Sequence, residues 1–391
     1  MSRPSTDNTV LKLNQMRKYV SSNVKTQVEF AKNGKACPIM WVAGSPGIGK
    51  SEFFQQICTE NGWGLNVQYI STMLLEMISG IPLVSDSGDS NSVVNWSKPH
   101  IFNFENMEVA PSKPEGITIL LLDDAHQCNK SIQSYMFQLL TYRAIHAHKL
   151  PDNVAIILAG NRADDKAGFQ QILAPVVNRL RFVNVRAEVD DWIANYAMKN
   201  NVRFDIISFL KRNPDYLNSP PLESNPWASP RSWTYASIGL DELTDGNDNY
   251  DLSDEEILVT LTGSIGNDYA TEFLKYKRLL LKWEADKILN GGPIPEIGQL
   301  GKMECYALMS AVVGELLKDA REANFKETKS LVKKFDITKN IFEEIAKRAK
   351  EVIPLGLKML VIAELQYSTI KLTRRLVDNS AMAGGVDKLI S

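Results

Sequence analysis

The stretch WVAGSPGIGKSEF, residues 41–53, decides how this chain is read. Gly44, four residues, then Gly49, Lys50 and Ser51 match the pattern G-x-x-x-x-G-K-[ST] at every defined position. A phosphate loop needs a buried strand before it and a helix after it, so that backbone N–H groups and the helix dipole converge on the anion. Both are present: PIMWVAG (38–44) is a short apolar run ending in glycine, and KSEFFQQICTE (50–60) carries Phe53, Phe54, Ile57 and Cys58 at helical spacing. Gly44, Ser45, Pro46, Gly47, Ile48 and Gly49 would wrap the phosphates, the glycines because a Cβ would clash or forbid the dihedrals. Lys50 would reach the β- and γ-phosphates of ATP, and Ser51 would offer its hydroxyl to Mg²⁺.

Other strands and helices extend outward from this loop. Short apolar runs LNVQYIS, GITILLLDDA, NVAIILAGN and RFVNV alternate with helical patterns up to residue 188, which predicts a parallel α/β sheet with helices on both faces. From DDWIANYAMKN (190–200) onward the strand signals stop and apolar residues recur at three and four, so the second half reads as all-helical. The expected organisation is a tail and helix over 1–37, an α/β domain over 38–188, a helical segment over 189–290 and a last helical unit over 291–391, bounded by NGGPIPEIG (290–298). The Ser-, Asn- and Pro-rich stretch between the second and third runs reads as loops with a hairpin.

Composition narrows the classes. At 391 residues the chain is long enough for two or three domains, and 44 Lys and Arg against 46 Asp and Glu leave a net charge of −2. Nucleic acid is therefore not favoured as a partner on bulk charge; the basic stretches KETKSLVKK (326–334) and KLTRR (371–375) read as solvated helix faces. Cys37, Cys58, Cys128 and Cys305 show no C-x-x-C spacing, so neither a zinc site nor a disulfide framework is indicated. The polar N-terminus lacks a signal-peptide core and no run of about 20 apolar residues occurs, so the expectation is a cytoplasmic chain with no membrane partner.

Two further segments supply candidate chemistry. The run ITILLLDDAHQ ends a buried strand on Asp123 and Asp124, where parallel sheets place their ligands. Asp123 is expected to hold Mg²⁺ with Ser51, and Asp124 to orient and deprotonate the attacking water. The next run ends on Asn161, whose amide suits either that water or the γ-phosphate. His146 and His148, two apart, would share a face if they lay on one strand, but no third ligand accompanies them; a hairpin between Arg143 and Pro151 is the preferred reading.

Together Gly44 to Ser51, LLLDD, LAGNRADD, VVNRLRF and SPRSW resemble the AAA+ ATPases, and among them the MoxR-like branch. GIP (80–82), QLLTYRAI (138–145), LPDNVAIILAGN and DDWI (190–193) resemble family segments between those motifs, and the likeness runs from about residue 30 to 290. The resemblance implies an AAA+ P-loop sheet with flanking helices, then an all-helical lid and a C-terminal helical unit. It implies Walker A at Gly44, Gly49, Lys50 and Ser51, Walker B at Asp123 and Asp124, sensor 1 at Asn161 and sensor 2 at Arg231. Arg179 matches the arginine finger, presented to a neighbouring subunit's ATP, with Arg181 as the fallback. It further implies a ring, most often a hexamer, lined by the 143–151 hairpin, that remodels a protein substrate together with a von Willebrand factor A domain partner. A DNA-directed motor and a slowly hydrolysing, nucleotide-gated scaffold are the alternatives. Walker B in this family usually ends Asp-Glu, whereas this chain has Asp-Asp, one methylene shorter.

Overall fold

The computed structural model describes residues 10–35, 37–84, 94–162, 165, 170–219, 225–244, 252–322, 329–349, 353 and 356–357. These residues form two compact units, divided between Glu188 and Val189.

Among its described residues the first unit has ten strands: β1 (Val10–Lys12), β2 (Ile39–Ala43), β3 (Gly64–Tyr69), β4 (Pro82–Val84), β5 (Val94–Trp96), β6 (Thr118–Asp123), β7 (Ala144–Ile145), β8 (His148–Lys149), β9 (Val154–Gly160) and β10 (Leu180–Arg186). Six of them form one sheet in the order β1-β10-β2-β9-β6-β3, with every neighbouring pair parallel. The helices of this unit are α1 (Met16–Lys32), α2 (Lys50–Asn61), α3 (Leu75–Ser79), α4 (Lys130–Tyr142) and α5 (Ala174–Val177). The expected parallel α/β sheet is therefore the architecture observed.

Alternation along each strand divides the core in two. Trp41, Leu120, Leu122, Ile156 and Leu158 face Ile132, Met136 and Leu139 of α4 on one side. Met40, Val42, Ile119, Leu121 and Ile157 face Met16, Val20 and Val24 of α1 and Phe53, Phe54 and Ile57 of α2 on the other. With both faces covered, the central strands read as continuous apolar runs rather than alternating ones. The N-terminal segment is thus part of the sheet unit: β1 pairs with β10, and Gln27 of α1, fully buried, both accepts from Ile156 N (2.9 Å) and donates to Ile156 O (2.8 Å).

Two antiparallel hairpins, β4–β5 and β7–β8, decorate this unit. The second is the hairpin expected between Arg143 and Pro151, but the two histidines do not share a strand face. His148 lies on β8, whereas His146 sits in the turn at φ +52°, its ring stacked at 4.1 Å on Trp96 of the first hairpin. His148 Nε2 lies 2.8 Å from Trp96 O. Among the described residues no group of three or more His, Cys, Asp or Glu is arranged to hold a metal ion.

The second unit contains α6 (Val189–Trp192), α7 (Phe204–Arg212), α8 (Pro230–Leu243), α9 (Asp254–Ile265), α10 (Asn267–Leu281), α11 (Ala285–Leu289), α12 (Lys302–Glu322) and α13 (Lys329–Arg348). It is helical, as the sequence predicts, with one difference. The run 270–289 reads as one helix but breaks between α10 and α11, where Glu284 adopts φ +43°. Phe209, Trp233, Phe273 and Tyr276 form an aromatic core within about the 4.5–7 Å range of favourable ring contacts. The run 357–372 also reads as a helix, but past residue 357 it lies outside the described residues, as does the basic stretch 371–375. No helix among the described residues is long and apolar enough to cross a membrane.

Candidate nucleotide-binding site

Strand order alone gathers the candidate residues. β9 lies between β2 and β6, so the segments leaving the carboxyl ends of these three parallel strands are neighbours. They carry Gly44 and its loop, Asn161, and Asp123 with Asp124, at the edge where open parallel sheets bind ligands.

The loop has the backbone a phosphate cradle needs. Gly47 (φ +77°) and Gly49 (φ +95°) occupy the left-handed region, which a side chain would strain. At Gly44 a Cβ would fall 2.5 Å from Ile48 Cδ1 and 2.7 Å from Val185 Cγ2, so the chain passes there only without one. Gly49 caps α2 without any side-chain hydrogen bond to the helix terminus, which leaves the first-turn N–H groups directed at the loop.

Lys50, the first residue of α2, folds back over the loop. Its Nζ donates to Gly44 O at 2.8 Å, to Ser45 O at 3.1 Å and to Asn161 Oδ1 at 3.1 Å. Ser51 Oγ donates to Asp123 Oδ2 at 2.7 Å. A hydroxyl and a carboxylate touching in this way form a hard oxygen pair of the kind Mg²⁺ prefers, and Asp123 is buried at the end of β6. The residues present therefore fit both a triphosphate and its magnesium ion.

Asp124 follows at φ +54° and ψ +29°, and its N–H donates to Asp123 Oδ1 at 2.9 Å. Short Asp and Asn side chains tolerate this left-handed region better than longer ones. That gives a local reason for Asp rather than Glu at the position.

Three contributors went unread in the sequence. His126, fully buried in the turn after Asp124, has Nε2 at 3.1 Å from Asn161 Nδ2. Ser45 of the loop is clamped from the far side of Asn161: its Oγ donates to Asp165 Oδ1 at 3.1 Å and accepts from Arg162 Nη2. Arg162 and Asp165 pair at 2.9 Å. Burial alone would raise the Asp165 carboxyl, but the Arg162 guanidinium and the Ser45 hydroxyl outweigh it and hold the group below the usual carboxylate range.

The two arginines assigned by resemblance are carried by other elements, Arg179 just before β10 and Arg231 on α8. Arg179 immediately precedes β10, and its carbonyl accepts from Ile39 N at 3.1 Å, at the start of β2. The phosphate loop leaves the other end of β2, about 16 Å of strand away at 3.3 Å per residue. Arg179 Nε donates to Thr141 Oγ1 at 2.6 Å and Nη1 to Pro175 O at 2.7 Å, with the guanidinium 4.2 Å above the Phe137 ring. Arg181 is exposed on β10. Arg231 belongs to the second unit, exposed in the first turn of α8 behind the Ser229–Ser232 capping box. The buried Cys58 and Cys128 thiols are pushed up to about 12 by burial, so neither is a thiolate nucleophile at neutral pH.

No family model and no curated protein matches the chain. Among solved structures it is similar to a point variant of RuvB from Thermotoga maritima, at 14% identity and a TM-score of 0.37 over 84% of this chain and 93% of that one. It is also similar to a T. maritima RuvB described as a Holliday junction branch migration motor, at 12% identity and a TM-score of 0.29 over 80% and 90% of the two chains. A third is NtrX from Brucella abortus in complex with ADP, at 14% identity and a TM-score of 0.32 over 78% of this chain and 65% of that one. Overlap this loose carries no inference about what this chain does.

Proposed function

We propose that the chain is a MoxR-like AAA+ ATPase that binds ATP with Mg²⁺, assembles into a ring, most simply a hexamer, and uses hydrolysis to remodel a protein substrate, acting with a partner that bears a von Willebrand factor A domain. The observation that carries the nucleotide reading is the meeting of Lys50, Ser51, Asp123 and Asn161, supplied by a helix start and two strand ends. Lys50 has donors for the β- and γ-phosphates, Ser51 and Asp123 would hold the metal, and Asp124, the next residue along, would orient and deprotonate water. Magnesium, when bound, neutralises charge on the terminal phosphates. In this reading residues 189–290 act as the lid and carry Arg231 to the phosphates as sensor 2, and 291–391 form the C-terminal unit.

The ring rests on Arg179. Its place at the start of β10, a strand's length from its own phosphate loop, suits action on a neighbour's ATP, and its contacts with Thr141, Pro175 and Phe137 hold the guanidinium in one orientation for that task.

Steady-state phosphate release tests this. Asp124→Asn is expected to keep ATP affinity and lower turnover at least about a hundredfold, the scale of a lost catalytic base. Arg179→Ala should likewise bind ATP and fail to hydrolyse it, and mixing the two variants should recover part of the rate at mixed interfaces. A monomer with full activity at high dilution would refute both the ring and the in-trans arginine. Negligible turnover by the unmutated protein, with intact ATP binding, would instead favour the scaffold.

A further inference from the structure

We infer that His126 is a positioning residue that fixes the direction of the Asn161 carboxamide, and so makes Asn161 an acceptor for the attacking water rather than a donor to the terminal phosphate. The inference rests on the ATPase reading above and deepens it at one side chain.

The direction of the amide follows from its two neighbours. Lys50 Nζ lies 3.1 Å from Asn161 Oδ1, and an ammonium can only donate. The oxygen of the carboxamide must therefore face Lys50, which turns the NH₂ group toward His126 Nε2 at 3.1 Å. An amide NH₂ can only donate, so Nε2 must accept. That makes His126 a neutral imidazole with its proton on Nδ1, an assignment made from the hydrogen-bond network. The opposite orientation would set an NH₂ group against an ammonium.

The imidazole is built into place. A Cβ at Gly160 would fall 3.0 Å from His126 Nδ1 and 3.3 Å from its Cβ, so the glycine before Asn161 is what leaves the ring its room. Gln170 N donates to His126 O at 2.7 Å and holds the turn that carries the ring. His126 itself is fully buried. Asn161 thus shows its oxygen to the Lys50 side and has one N–H of its amide engaged by His126.

This orientation selects between two roles for Asn161. The terminal phosphate presents only acceptors at neutral pH, whereas a water molecule has two protons to donate. An amide oxygen suits the water. His126 takes one of the two amide protons, so to serve the phosphate Asn161 would have only the other, or would have to leave His126 and turn over beside Lys50. His126 needs no contact with nucleotide: its effect is confined to the step in which water is aligned, after binding is complete.

The test begins with the unmutated chain free of nucleotide, labelled with ¹⁵N-histidine. Long-range ¹H–¹⁵N spectra, with the His126 signals assigned from their loss in His126→Gln, should show a protonated Nδ1 and an unprotonated Nε2. An Nε2–H tautomer or an imidazolium at neutral pH would overturn the inference. In kinetics, His126→Leu is expected to lower kcat about tenfold, the scale of one mispositioned hydrogen bond, with the Kd for ATP within about a factor of two. His126→Gln, which still offers a carbonyl acceptor, should recover most of that loss. Unchanged kcat in His126→Leu, or equal losses of turnover and affinity in both variants, would overturn it. If the unmutated chain binds ATP without hydrolysing it, the ATPase reading and the water assignment fall together, while the tautomer still reports separately on the direction of the amide.

Discussion

Lys50→Ala is expected to weaken ATP binding at least a hundredfold and to abolish turnover. The side chain is the one ammonium that the loop itself aims at its own cradle, with Nζ 2.8 Å from Gly44 O and 3.1 Å from Ser45 O. On the arrival of a triphosphate those weak carbonyl contacts exchange for charge-assisted bonds to phosphate oxygens, each contributing about 1.5–3 kcal/mol. Losing two of them corresponds to about 3 kcal/mol or more, hence the hundredfold. The fold should survive, because Lys50 is only half-buried and α2 is anchored by Phe53, Phe54 and Ile57 rather than by its first residue. Titration with a fluorescent ATP analogue, beside a circular dichroism spectrum of the variant, measures both. Affinity equal to that of the unmutated protein would remove Lys50 from the phosphate site.

The same loop explains what was legible beforehand and what was not. Gly44 to Ser51 is a local device: its glycines, its lysine and its flanking strand and helix are contiguous, so the motif carries its own context. Asp123 and Asn161 were legible because each ends an apolar run, and parallel strands deliver such termini to one edge. His126 had no comparable signal. Its partner is 35 residues away, and the pairing exists only because β9 inserts between β2 and β6, an order that no local pattern encodes. The clue available was the glycine before Asn161, whose missing side chain clears space for an imidazole. Arg162 and Asp165 escaped for the opposite reason: RADD looks like an ordinary polar turn, and its link to Ser45 crosses from one strand end to another. The His146–His148 pair misleads in a third way, since spacing of two implies a shared face only on a continuous strand, and a left-handed turn residue at His146 breaks that strand. In the second unit, helical periodicity identified the elements, but it could not register the left-handed Glu284 that separates α10 from α11.

The largest effect on stability is expected at Asp205, in the first turn of α7, a buried carboxylate that the sequence presents as one more helical acid. It accepts from Lys277 Nζ at 2.7 Å and from Arg203 Nε and Nη2 at 3.3 Å, and from the N–H of Ile206 at 2.9 Å. Arg203 is held in turn by Asp241 at 2.8 Å. Burial by itself would raise the Asp205 carboxyl, but the two cations outweigh it and hold the group far below the usual carboxylate range. Asp205→Asn removes the charge while Lys277 and Arg203 stay largely enclosed. Breaking a buried pair from one side costs about 3–5 kcal/mol, and Lys277, at 22% side-chain exposure, can turn partly to water, which favours the lower end. Hydrogen exchange over α7 and α10 should accordingly quicken by roughly a hundredfold through local opening of this unit. Adding Lys277→Met to Asp205→Asn should recover much of the loss, because the stranded cation goes with its partner. The acid response has a fixed sign: a group whose folded pKa lies below its unfolded value of about 3.9 contributes its full stability above that pH and loses it as pH falls further. The unmutated helical unit should therefore lose protection steeply below about pH 4, and Asp205→Asn should lack that part of the dependence. Equal protection of the two proteins at pH 7 would mean that Lys277 and Arg203 are solvated well enough without the carboxylate, and that the triad does not stabilise the helical unit.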